Sequence, residues 1–235
     1  MKNYKAILFD LDGTLLPMDM EVFSKAYFKE LCISLAKYGV PAETLVKCVW
    51  AGTKAMVMND GTCKNEKRFW DKFLSLTGIV SDTILDETNY FYSHEFNKAR
   101  SVTGENPLAV AAVEAAAENG RTVVLATNPL FPYPAQLSRI SWIGLSEDDF
   151  ALITSYESDS FCKPNPQYYL DICRRLSLEP TDCLMIGNDV AEDMLASRAA
   201  GMDAYLVTDC LIGSVDDWDG PKGSFAEMVE MLKAL

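Results

Sequence analysis

The sequence predicts a doubly wound α/β fold, a parallel sheet flanked by helices, with an all-helical block inserted after the first strand. Three observations predict it. The run Ala6-Ile7-Leu8-Phe9 is apolar without alternation, as in a strand buried on both faces. From residue 107 onward strand-like and helix-like segments alternate, the pattern of βαβ units. Between them, residues 21–100 show helical periodicity and no strand. With 235 residues, 49% of them hydrophobic, the chain can bury a core large enough for such a sheet and an insertion.

The first strand ends at Asp10-Leu11-Asp12-Gly13-Thr14, where glycine permits a tight exit turn. Four helices are expected next: 21–38, closed by Gly39 and Pro41; 43–58, ahead of Asn59-Asp60-Gly61; 65–76, closed by Gly78; and 82–99, with Ser81 as N-cap. Phe23, Tyr27, Phe28, Trp50, Phe69, Trp70, Phe73, Phe91 and Tyr92 fall at helical spacings there and are expected to form a core private to the block. After the polar stretch 101–106, the alternation predicts a helix over 107–119, a strand over 122–126 and a helix over 135–142. A strand over 152–155, the helix Pro166–Leu176, a strand over 183–186, a helix over 191–200 and a strand over 204–207 complete it. The acidic stretch 216–223 reads as a solvated turn before a final short helix.

The whole-chain balance narrows the function. A net charge of −13 repels nucleic acid and anionic membrane surfaces. No apolar stretch approaches the roughly 18 residues of a membrane helix, and only nine residues precede Asp10, too few for a signal peptide; a soluble cytoplasmic protein, monomeric or weakly dimeric, is expected. Seven cysteines, an odd number without a Cys-x-x-Cys pair, argue against disulfides and zinc and read as buried thiols of a reducing compartment.

Asp10 and Asp12 project together beyond a strand end, where parallel sheets place ligands. A calcium loop is excluded, because glycine is fourth and the preceding segment is strand-like; such a loop needs glycine sixth and Glu twelfth. Three further strand ends complement the two acids. Thr127-Asn128-Pro129 offers a hydroxyl and an amide N–H to a phosphate oxygen, and Lys163-Pro164 offers a compact positive charge. Gly187-Asn188-Asp189 opens a helix with Asp193 four residues after Asp189, a spacing that stacks both acids on one face. Two acids crowded near two others repel without a cation, and magnesium, with its preference for carboxylates and retained waters, suits them.

In these residues the chain resembles the haloacid dehalogenase-like hydrolase superfamily. The resemblance runs through Asp10-Leu11-Asp12-Gly13-Thr14, Thr127, Lys163 and Gly187-Asn188-Asp189 with Asp193, in the family's order, and Asn188 is a small departure from the pattern. It implies a Rossmann-like core over 1–16 and 101–235 and an inserted helical cap over 17–100. It implies a phosphatase acting on a small phosphate ester: Asp10 as nucleophile, Asp12 as acid and then base, and Mg2+ held by Asp10, the Asp12 carbonyl and Asp189, with Asp193 as ligand or support. Thr127, the Asn128 amide and Lys163 would hold the phosphoryl oxygens, with Thr14 grouped among the substrate-binding positions.

Within that resemblance, Asp12 argues against a dehalogenase, since halide leaves without a proton. Phosphonate-cleaving members lack the second acid and use a cap lysine, for which Lys47 and Lys54 are candidates. Sugar phosphomutases of the beta-phosphoglucomutase type keep both acids and are the alternative; Thr14, often Val in them, tilts towards phosphatase. A catalytically silent phosphate- or partner-binding module would need a missing group, and none is missing. Met18, Asp19, Met20, Lys54, Arg68, His94 and Arg100 are the candidates to face substrate, with His94 read as a solvated helix residue. The block can swing as a lid through its connections at 15–20 and 101–106.

Overall fold

The computed structural model describes residues 2–235, and for Ser81 and Asp82 the backbone alone, so an N-cap made by the Ser81 side chain lies outside the described residues. Six strands form one parallel sheet: β1 (Ala6–Phe9), β2 (Thr122–Leu125), β3 (Leu152–Ile153), β4 (Cys183–Gly187), β5 (Asp203–Val207) and β6 (Lys222–Gly223), in the order β3-β2-β1-β4-β5-β6. The chain winds outward from β1 to one side, then crosses to the other, so a crevice opens beyond the carboxyl ends of β1 and β4.

The sheet is covered on both faces because its central strands are apolar throughout. Ile7, Phe9, Val123, Leu125, Leu184 and Ile186 pack on one side with the helices α5 (Ala109–Ala117), α6 (Tyr133–Trp142) and α9 (Phe225–Lys233). Ala6, Leu8, Val124, Cys183 and Met185 pack on the other with α7 (Pro166–Leu176) and the segment Val190–Leu195 running into α8 (Ala196–Ala199). Adjacent residues alternate faces.

Between β1 and α5 lie α1 (Met20–Leu35), α2 (Ala42–Val57), α3 (Asn65–Thr77) and α4 (Ser81–Ser93), with no strand among the described residues. Four expectations change. The helix expected to run to residue 99 stops at Ser93, where His94 leaves helical geometry, and a 3-10 stretch Glu95–Val102 follows. The aromatics are not private to the block, for Phe23, Tyr27, Phe73 and Phe91 belong to the same continuous cluster as the sheet's face, and Trp50 is exposed. Phe131 of the core, 5.4 Å from the Tyr27 ring, bridges the two. The stretch 216–223 is largely exposed, as expected of a solvated turn, but not wholly: Lys222–Gly223 pairs with β5, and Trp218, 2% exposed, is buried beneath Arg198. All seven cysteines are free, but Cys32, Cys63 and Cys210 are only partly buried.

The two segments joining the block to the sheet run side by side. Gly104 N donates to Pro17 O at 2.7 Å and Asn106 Nδ2 to Leu15 O at 2.8 Å. A third attachment was not expected. At the start of α3, the Asn65 and Glu66 amides donate to Asp159 O and Tyr156 O at 2.9 and 2.8 Å, and the Asn65 side chain is fully buried against the core loop before Lys163.

Candidate active site

Asp10 continues β1 by one residue and stays tied to β4, its amide donating to Ile186 O at 2.9 Å. Only 7% exposed, its carboxylate is held from both sides. Lys163 Nζ donates to Oδ1 at 2.8 Å, and Thr14 Oγ1 lies 3.2 Å from Oδ2 and 3.0 Å from Asn188 Oδ1, its one proton shared between them. Gly13, at φ +92°, must be glycine on space as well as conformation, since a Cβ there would sit 2.3 Å from Asn188 Nδ2. Asn188 therefore has a structural office: it fills the hollow under Gly13, accepts from Thr14 Oγ1 and donates to Cys210 O at 2.6 Å, tying the end of β4 to the loops after β1 and β5. Thr14, at 2% exposure, reaches Asp10 rather than the open cleft.

Lys163 bridges Asp10 and Asp193, with Nζ 2.6 Å from Asp193 Oδ1, and is 1% exposed. Burial favours the neutral amine, but the two carboxylates outweigh it and hold the ammonium well above the usual lysine range. Burial pushes the Asp193 carboxyl up, against the pull of Lys163. Asp193 Oδ2 accepts the Asp189 amide at 3.0 Å, and Gly187 leaves room for it, because a Cβ there would meet Oδ2 at 2.2 Å. Both Asp193 oxygens are thus engaged.

Asp189 and Asp193 do not stack within one regular helix as their spacing suggests. Asp189 is extended (φ −100°, ψ 120°) and caps the turn, Oδ1 accepting from Ala191 N and Glu192 N at 2.8 and 2.9 Å. The turn it opens, Val190–Leu195, is π-helical, a form concentrated at functional sites. Thr127 and Asn128 follow β2 and line the same cleft as Asp10, Asp12, Asp189 and Glu192. Asn128 Nδ2 donates to Glu192 Oε2 at 2.8 Å, and burial raises the Glu192 carboxyl. Of the candidates proposed to face substrate, Met20 alone lines the cleft; Asp19 caps α1, Arg68 binds Asp60, and exposed His94 stacks on Tyr90.

Arg139 is the functional group that sequence reasoning missed. It is fully buried on α6, pairs through Nη1 with Asp12 Oδ2, bonds Gln136 through Nη2, and stacks 4.5 Å from the Phe131 ring centroid. A signal was available: Ala135, Arg139 and Trp142 fall on one face of a helix, placing a charge in an apolar stripe. Burial raises the Asp12 carboxyl, Arg139 opposes that shift, and Asp12 Oδ1 is buried without a partner. The two β1 acids consequently differ, Asp10 facing a lysine and a hydroxyl and Asp12 facing a guanidinium.

The cleft is rich in oxygen donors, yet no three His, Cys, Asp or Glu side chains converge on a single point among the described residues. A hard cation such as magnesium needs only one or two carboxylates and keeps several waters. Asp189, with one carboxylate oxygen outside its capping bonds, and Asp10 suit such an ion; Asp193, fully engaged, suits a supporting place.

A parallel sheet of this order, with paired acids and a buried lysine gathered beyond β1, is a Rossmann-like fold with its site at the point where the strand order reverses. The chain matches the profile of the haloacid dehalogenase-like hydrolases over residues 4–201, and it belongs to that family. It is 27% identical over 206 residues to a phosphoglycolate phosphatase of Nitrosospira multiformis, covering 86% of this chain and 82% of that one. Among solved structures it is similar to a 2-haloacid dehalogenase of Pseudomonas syringae pv. Tomato (TM-score 0.66, 19% identity, covering 98% and 99% of the two chains). It is similar too to a magnesium-bound hydrolase of Bacillus subtilis (TM-score 0.58, 18% identity, 100% of both chains). The structural likenesses establish the fold.

Proposed function

We propose that this hydrolase is a magnesium-dependent phosphatase that cleaves a small phosphate monoester through a phosphoryl group carried on Asp10. The observation that carries the reading is the difference between its two acids: Asp10 is held by Lys163 and Thr14 with an oxygen towards the cleft, whereas Asp12 is raised by burial and aimed by Arg139. A nucleophile must stay ionised, and a general acid must hold a proton near neutral pH. Asp10 attacks phosphorus as Asp12 gives its proton to the departing alkoxide. Asp12 then takes a proton from the water that attacks the phosphorus of the Asp10 acyl phosphate, releasing inorganic phosphate and restoring Asp10. The Lys163 ammonium, Thr127 hydroxyl and Asn128 amide hold the phosphoryl oxygens, which matters in a chain of net charge −13. Asp10, the Asp12 carbonyl and Asp189 would hold Mg2+, which supplies charge neutralisation at the phosphoryl group. Asp193 positions Lys163.

The phosphatase-named relative and the magnesium-bound neighbour support this reading. A dehalogenase has no use for a proton donor, so the Asp12–Arg139 pair favours the phosphatase reading over a dehalogenase one. Lys47, in an exposed pair with Glu43, is no imine-forming lysine of the cleft. Residues 17–100 are proposed as a cap over a core of 1–16 and 101–235, and the free thiols suit the reducing cytoplasm. Assay against a panel of phosphate esters with magnesium and with EDTA tests the proposal: phosphate release only with magnesium is expected, and sugar-isomer interconversion without phosphate release would favour a mutase.

A further inference from the structure

The cleft does not end at Asp10. Met20, Leu130 and Phe131 line it and also line a second cavity of about 170 Å3 between α1, α2, α3 and the core. Phe28, Trp50, Phe69 and Tyr156 wall this cavity, and its lining contains no Lys, Arg, His, Asp or Glu. A carboxylated or second phosphate-bearing leaving group would find no counterion there. Apolar walls leave such a space dry, and a cavity near 150 Å3 is large enough to take benzene. The rings around it meet in both ways aromatic pairs favour: Phe28 and Trp50 tilted at 5.5 Å and Phe69 and Trp70 edge-on at 5.2 Å, with Phe69 and Phe73 near-parallel at 5.6 Å, arrangements that a further ring can join.

We infer that the leaving group of the substrate carries a single aromatic ring, seated in this cavity while its phosphate lies at Asp10. The inference rests on the phosphatase reading and specifies its substrate class as an aryl-alkyl phosphate monoester. Phe131 is the partition between the two chambers, touching Tyr27 on the cavity side and Arg139 on the acid side.

Benzyl phosphate and ethyl phosphate test this in the full chain with magnesium, since both leave as alkoxides of similar basicity and differ by the ring. Burial of a ring is expected to lower KM for benzyl phosphate roughly ten- to a hundredfold relative to ethyl phosphate. Filling the cavity by Ser24→Phe, with Thr53→Leu as a second variant should the first fail to fold, should collapse that ratio towards one. Equal KM values for the two esters in the wild type would overturn the inference while leaving the phosphatase reading intact. Should no ester be hydrolysed, the phosphatase reading fails and calorimetry with the uncleavable benzylphosphonate and ethylphosphonate still decides. Tighter binding of the benzyl compound supports the ring site, and equal binding overturns it.

Discussion

Arg139 sets Asp12 apart from Asp10, and the consequence is measurable as a pH profile. In the proposed reaction Asp12 must be protonated to act on the leaving group, so turnover of an alkyl ester should fall as pH rises through its pKa. Burial holds that pKa up and Arg139 pulls it down. Arg139→Met removes the downward pull, so the alkaline limb of kcat/KM should move to higher pH, at a stability cost of about 3 kcal/mol for leaving a buried partner alone. An unmoved limb in a folded variant would contradict the positioning role. Asp10→Asn keeps shape but not the attacking charge, and turnover should fall roughly a thousandfold or more with the thermal midpoint retained; near-normal turnover would remove Asp10 from the nucleophile's place. At this scale the sequence was most legible, because Asp10, Asp12, Thr127 and Asp189 stand just past strand ends marked by apolar runs, whereas Lys163 comes from a loop ten residues beyond the end of β3. Arg139 was hidden, since its partner lies 127 positions away and only tertiary packing joins them.

Among the elements, α3 is more than a wall of the cap. Asn65 buries its amide among Asn59, Pro129 O and Phe161 O, so the helical block is pinned at a point far in sequence from its two connections. Asn65→Leu should lower stability by about 1–3 kcal/mol through the unpaired groups it leaves, read from the denaturant midpoint, and should speed proteolysis within α2 and α3; an unchanged midpoint and cleavage rate would refute the anchor. Strands β1 to β5 could be read because each is built on a short apolar run, even where a polar residue opens it, as Thr122 does in β2 and Asp203 in β5. Lys222–Gly223 could not, having neither β-branched nor aromatic residues, and it is a strand only through its pairing with β5. The early end of α4 likewise carries no glycine or proline to announce it. The π-helical turn after β4 escaped because four-residue spacing describes an α-helix equally well.

For the molecule as a whole, acid clustering at one end of the sheet makes the proposed metal a folding partner as well as a reactant's counterion. Magnesium at a hundred times its dissociation constant should raise stability by about 2.7 kcal/mol, seen as a higher thermal midpoint that EDTA reverses; an unchanged midpoint would contradict a site at Asp10 and Asp189. The central claim is that water attacks a phosphoryl group held on Asp10, and a single-turnover reaction in 18O-labelled water tests it most directly. Mass spectrometry of the products should find one solvent oxygen in the released phosphate and none in the Asp10 carboxylate. Label in Asp10 would mean attack at carbon, whether of the acyl phosphate or of a carbon ester as dehalogenation requires, and phosphate and Asp10 both free of label would mean that water is not the acceptor.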